Sequence, residues 1–110
     1  MQNKQMVHAD GATLSGHIQG DALVMVDFWA DWCAPCRAMA PLLDRLAGEY
    51  PQLRIVKVDA EAHKPLLEQY GVRSLPTLQF YRDGKRVEEL MGKVPYQMMR
   101  RAVETAVEAV

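Results

Sequence analysis

From Ala22 to Trp29 the chain is almost continuously apolar, with Val24, Val26 and Phe28 on one side of an extended backbone and Met25, Asp27 and Trp29 on the other. A run that is apolar on both sides predicts a central strand covered on both faces. Leu53 to Val58 is rich in Ile and Val and predicts a second buried strand. Between the two, Met39, Leu42, Leu43, Leu46 and Tyr50 recur at helical spacing, so Cys33 to Tyr50 reads as an amphipathic helix with one stripe on the sheet. Pro41 lies inside it and withholds a backbone donor, which predicts a bend near Ala38 to Pro41, and Pro51 ends it. Glu61 to Tyr70 reads as a further helix with Leu66, Leu67 and Tyr70 inward and Gly71 as its stop. Parallel strands joined by a helix imply a right-handed crossover.

The rest of the pattern closes the sheet. Thr77 to Tyr81 and Arg86 to Met91 flank Arg82-Asp83-Gly84-Lys85, whose Asp-Gly step predicts an antiparallel hairpin. A last helix runs from Pro95 to about Ala109 with Met99, Val103, Ala106, Val107 and Val110 along one stripe. Met6 to Ala9 is a short candidate strand, and Leu14 and Ile18 mark one face of a first helix that Gly11, Gly16 and Gly20 weaken. With no repeat, low-complexity run or linker, residues 1–110 read as one α/β domain, a central mixed β-sheet with helices on both faces.

Composition narrows the function. At 110 residues and 49% hydrophobic content the chain can bury a core without disulfide staples. Thirteen Lys and Arg against fourteen Asp and Glu leave a net charge of −1, so no field favours nucleic acid or an anionic membrane. The Arg100-Arg101 pair and the hairpin cations Arg82, Lys85 and Arg86 read as solvated faces, and Lys93 as a surface lysine. Seven methionines could suggest a promiscuous surface, but Met25, Met39 and Met99 fall on core stripes. Met1 to Met6 lacks the apolar run of a secretory signal and no stretch is long enough to span a bilayer, so a cytoplasmic location is expected, with a monomer as the default state.

Cys33 and Cys36, the only cysteines, stand where the first buried strand passes into the long helix. A Cys-X-X-Cys at a helix start holds both sulfurs within disulfide reach and aims backbone N–H groups at the first, which favours its thiolate. The redox reading makes Cys33 the nucleophile and Cys36 the resolving thiol. Two idle thiols, or half of a zinc site, are the alternatives. Zinc requires further ligands, and His8, His17 and His63 show no ligand spacing to the pair or to each other. Ala34 and Pro35 tune the dithiol. Neither brings a positive charge to the thiolate, which argues for a reductant rather than a strong oxidant.

Asp27 lies six residues before Cys33. Buried, its pKa rises and it can accept a proton from Cys36; facing solvent at a strand end, it has no role. Trp32 is either core, like Trp29, or part of an exposed lip beside Cys33. Sequence alone makes the Leu75–Pro76 bond trans by default.

Val-Asp-Phe-Trp-Ala followed by Trp32-Cys33-Ala34-Pro35-Cys36-Arg37 resembles the active-site signature of the thioredoxin family, with Ala34 in place of the usual glycine. Arg73-Ser74-Leu75-Pro76-Thr77 and Gly92 after the hairpin are similar to two further motifs of that family, and the resemblance runs from about Met6 to Ala109. It implies the thioredoxin fold. It matches Asp27 to the family's buried aspartate and Lys57 to its lysine partner, makes Pro76 cis, and has Leu75 present its backbone to an extended substrate peptide. Trp32, Pro35, Ser74, Leu75, Pro76 and Gly92 become the substrate-binding surface. Ser74 and Leu75 depart from the commonest residues there, and residues 10 to 20 lack the family's aromatic anchor.

The activity so implied is general protein-disulfide reduction by dithiol–disulfide exchange, maintaining cell redox homeostasis with no bound metal or organic cofactor. NADPH enters indirectly through thioredoxin reductase, and the family's clients include ribonucleotide reductase, methionine sulfoxide reductase and peroxiredoxins. A disulfide-donating enzyme of an oxidising compartment and a binding module without turnover are the alternatives.

Overall fold

Alternation along the second strand decides which helices cover which face. The computed structural model describes residues 6 to 109, so Val110 of the last helical stripe lies outside the described residues. The strands are β1 (Met6–His8), β2 (Leu23–Trp29), β3 (Arg54–Asp59), β4 (Thr77–Arg82) and β5 (Lys85–Met91), and the helices are α1 (Leu14–Gly20), α2 (Ala34–Glu49), α3 (Lys64–Gln69) and α4 (Tyr96–Glu108). They form one sheet in the order β1-β3-β2-β4-β5. β3 runs parallel to β1 and β2, while β4 is antiparallel to β2 and β5 to β4.

Leu23 and Met25 of β2, Ile55 of β3 and Leu78 and Phe80 of β4 meet Met39, Leu43 and Leu46 of α2 and Met99, Ala102, Val103 and Ala106 of α4. Val24, Val26 and Phe28 meet Leu14 and Ile18 of α1 and Leu66 of α3 on the opposite face. The expected mixed sheet with helices on both faces is therefore present. Its hairpin is the two-residue turn that Asp-Gly predicts: Arg82 pairs with Lys85, and Asp83 and Gly84 both have positive φ, 50° and 83°.

Several expectations need correction. α3 begins at Lys64, not Glu61, because Asp59 Oδ1 accepts from the Glu61 and Ala62 N–H groups and holds residues 59 to 63 as a turn. Val107 is 40% exposed: it stands about a quarter-turn from the centre of the buried arc of Met99, Ala102, Val103 and Ala106. α2 runs as one element from Ala34 to Glu49 with Pro41 inside it. In place of the missing aromatic anchor, α1 is seated by fully buried Leu14, and Asp10 Oδ1 accepts from the Ala12 and Thr13 N–H groups ahead of it.

β4 carries a buried polar residue that hydropathy alone did not flag. Gln79 is enclosed on the α1–α3 face, where its Nε2 donates to Tyr70 O at 2.8 Å and to Glu89 Oε2 at 2.9 Å, and its Oε1 accepts from Tyr81 Oη at 2.8 Å. Each polar atom of the amide has a partner, as burial requires. Burial pushes the Tyr81 hydroxyl up to about 12, so it remains a donor at neutral pH.

The two stripes give a stability contrast. Leu46 is wholly enclosed, and Leu46→Ala is expected to destabilise the fold by about 2–5 kcal/mol. Val107→Ala is expected to change it by no more than about 0.5 kcal/mol. Urea unfolding midpoints compare the two directly.

Candidate active site

β2 ends at Trp29, and four residues carry the chain over the edge of the sheet to the head of α2. Cys33 is the N-cap, with its backbone extended at φ −88° and ψ 103°, and Pro35 fills the first turn, where no N–H partner is needed. The turn is closed by Cys33 N–H donating to Ala30 O at 3.1 Å and by Arg37 Nη1 donating to Asp31 O. Cys33 and Cys36 form a disulfide across a Cα–Cα distance of 5.2 Å.

Exposure does not distinguish the two residues, since Cys33 is 3% and Cys36 8% exposed. Hydrogen bonding does. Cys36 N–H donates to Cys33 Sγ at 3.2 Å, so once the bond is reduced a backbone dipole at a helix N-terminus favours negative charge on Cys33. Ala34 and Pro35 are both exposed and add no charge.

Behind the disulfide lies Asp27. Being two residues from Met25 and two from Trp29, it points to the α2 face, and it is 3% exposed, which settles the two sequence readings in favour of burial. Register sets Lys57 of β3 directly beside it, with Nζ 3.9 Å from Asp27 Oδ2. Loss of water raises the carboxyl from 3.8 to about 6, and the Lys57 ammonium offsets only part of that rise. Asp27, Lys57 and Cys36 line one cavity of about 150 Å³ with Trp29, Ala40 and Arg37.

Trp29 is not core. It is half-buried at the strand end, where the Lys57 ammonium sits 5.4 Å from its ring centroid and His8 of the edge strand meets it edge-on. Trp32 is the exposed one, 66% open. Its indole N–H donates to Glu61 Oε2 at 3.1 Å, which holds the ring beside a groove of about 470 Å³. Ser74 and Leu75 form the groove's other side, with Leu67, Val72 and Arg73.

The Leu75–Pro76 bond is cis, against the default for sequence alone and as the family resemblance implies. Pro76 is buried, its carbonyl accepts from Gly92 N–H at 2.8 Å, and Leu75 packs against the apolar cluster of Ala30, Cys33 and Cys36. The structure thus unites Trp32, Ser74 and Leu75 along one groove. Pro35 lies between the two cysteines, and Pro76 and Gly92 are joined backbone to backbone; none of the three lines that groove. Glu61 went unnoticed in the sequence, since nothing local links it to a tryptophan 29 positions away. Among the described residues, no group of three or more His, Cys, Asp or Glu is arranged to hold a metal ion.

Comparison with known proteins agrees with this geometry. The family profile described as Thioredoxin matches residues 5–105. The chain is 48% identical over 73 residues to Thioredoxin 1 of Synechococcus elongatus, covering 66% of this chain and 68% of that protein. It is 40% identical over 88 residues to the chloroplastic M-type thioredoxin of Chlamydomonas reinhardtii, covering 79% and 63% of the two chains. Among solved structures, a mutant thioredoxin from Halobacterium salinarum superposes with a TM-score of 0.88 at 31% identity, covering 100% of this chain and 97% of that one. With a disulfide at the head of α2, a buried carboxylate lining a cavity with Cys36 and a cis proline directly after Leu75, the chain belongs to the thioredoxin family and is a thiol–disulfide oxidoreductase.

Proposed function

We propose that the protein is a general protein-disulfide reductant in which Cys33 attacks the client and Cys36 resolves it. The observation that carries this is the bond from Cys36 N–H to Cys33 Sγ: it singles out one sulfur as the stabilised thiolate, while the other sulfur shares a cavity with Asp27. Cys33 thiolate attacks one client sulfur, the client S–S bond breaks, and a mixed disulfide forms. Cys36 then gives its proton to Asp27 and attacks Cys33 Sγ, which expels the client sulfur as a thiolate that takes up a proton on release, and closes the Cys33–Cys36 bond. Lys57 keeps the buried carboxylate oriented and partly neutralised.

Trp32, Pro35, Ser74, Leu75, Pro76 and Gly92 form the client-docking surface in this reading. The client lies along the groove and pairs with the backbone at Leu75 as an added strand. Thioredoxin reductase, drawing electrons from NADPH, restores the dithiol. Ribonucleotide reductase, methionine sulfoxide reductase and peroxiredoxins are client classes suited to such a reductant. We place the protein in the cytoplasm, since a reducing dithiol without stabilising charge at Ala34 and Pro35 functions where thiols are kept reduced.

The deciding experiment is the reduction potential of the Cys33/Cys36 pair, followed by tryptophan fluorescence in thiol buffers. A potential near about −270 mV, the general value for thioredoxins, is expected; one approaching about −120 mV marks an oxidant and overturns the assignment. Ala34→Gly is expected to move it only slightly, because neither residue brings charge or a donor to the sulfur.

Asp27 generates a paired prediction. A carboxyl at about 6 in the fold and 3.8 when free means that the native state binds more protons between those values. Its contribution therefore favours folding below the unfolded pKa and is lost as pH rises through the folded one. Asp27→Asn should raise stability by roughly 3 kcal/mol at about pH 7 and by nothing at about pH 3, read from denaturant unfolding. The same variant should slow mixed-disulfide resolution by about 10²-fold at neutral pH and abolish the loss of rate on acidification through the folded pKa. An unchanged pH profile removes Asp27 as the base.

A further inference from the structure

Directly before Gly92, at the corner where β5 meets the Pro76 turn, stands one exposed side chain that the exchange reaction does not use. Met91 ends β5 and is 61% exposed, second only to Trp32 among the exposed large apolar side chains of the described residues. Its place is fixed from two directions. In the ladder it stands opposite Thr77, the residue after Pro76, and the following Gly92 donates its N–H to Pro76 O at 2.8 Å. Gly92 has φ +77°, a conformation that side-chain-bearing residues rarely adopt, so the turn beyond Met91 is tied to that residue type.

Alternation completes the placement. Leu90 packs against the core under α2 and α4, so Met91 projects from the other face, with Thr77. Thr77 Oγ1 in turn donates to Ser74 O at 2.6 Å, which joins this corner of the sheet to the groove. The other methionines among the described residues are differently disposed: Met25, Met39 and Met99 are enclosed, Met6 is half-buried, and Met98 is 42% exposed on α4.

We propose that Met91 is a redox modification site, oxidised by peroxide to the sulfoxide, and that the change weakens client docking while leaving the exchange chemistry intact. The thioether sulfur attacks one oxygen of hydrogen peroxide, the O–O bond breaks as the S–O bond forms, and water leaves after proton transfer. Sulfur loses two electrons and the peroxide gains them. A flexible apolar side chain becomes a polar, chiral one on an apolar rim, and sulfoxide reduction restores it. The inference rests on the reading of Trp32 and Leu75 as a client-docking rim.

The test treats the disulfide form, in which neither cysteine is a free thiol, with hydrogen peroxide and locates sulfoxides by peptide mass mapping. After removal of peroxide, KM and kcat are measured for reduction of insulin with dithiothreitol as electron donor, alongside untreated Trp32→Ala. Met91 is expected to be oxidised ahead of Met98, with KM for insulin raised about five-fold and kcat and reduction potential unmoved. Met98→Leu should show the same rise on treatment, and Met91→Leu none, whatever its own starting KM.

Oxidation of Met98 first, or an equal rise in treated Met91→Leu, overturns the inference. So does a KM that the Met91 sulfoxide leaves unmoved while Trp32→Ala raises it, and in that case the docking rim itself stands. If Trp32→Ala leaves KM unmoved as well, the rim is not the docking surface and both readings fall.

Discussion

Because β2 is paired along both edges and covered on both faces, the side of the sheet that each of its residues meets is set by register alone. Val24, Val26 and Phe28 go to the face that seats α1 and α3, and Met25, Asp27 and Trp29 to the face that receives α2. A slip of one residue would drive the Asp27 carboxylate into the cluster around Leu14 and Ile18 and separate it from Lys57. The apolar neighbours thus force a charged group into a dry position, which they alone would disfavour. Its raised pKa follows from that placement, because the loss of water outweighs an ammonium held 3.9 Å away that is itself partly open to solvent.

Two electrostatic environments therefore lie within one helical turn. At Cys33 the backbone N–H of Cys36 and the helix head favour an anion. At Cys36 the side chain instead shares a cavity with a carboxyl raised to about 6. The two cysteine residues are nearly equally buried, and the hydrogen bond to Cys33 Sγ is what distinguishes them. The spacing of two residues between them matters for that reason: it puts the second sulfur on the inner face of α2 and leaves the first at its end.

Much of this was legible in order along the chain. Strands, helices and the Asp-Gly hairpin follow from apolar spacing and turn chemistry, and burial of Asp27 follows from the apolar run on both sides of it. The failures share a cause. The start of α3 depends on Asp59 side-chain bonds to the backbone, Val107 depends on where the centre of a helical arc falls, and enclosure of Gln79 depends on Tyr70, Tyr81 and Glu89 arriving from three elements. The contact of Trp32 with Glu61 and the half-buried position of Trp29 beside Lys57 are likewise products of strand adjacency, which hydropathy does not encode. The cis bond before Pro76 was available only through resemblance, since local sequence favours trans.

The site is also layered by depth. Asp27, Lys57 and Cys36 are held by strand register and by the inner face of α2, so a change at any of them disturbs packing as well as chemistry. Ala34, Ser74, Trp32 and Met91 lie on the solvent side, at the head of α2, in turns and at a strand end. Gly92 and Pro76 join the layers, because one hydrogen bond between their backbones fixes the outer corner relative to the dithiol. Departures from the commonest family residues at Ala34, Ser74 and Leu75 fall in or beside this outer layer. Residues there can therefore vary while the disulfide and the buried carboxylate, anchored beneath, stay in place.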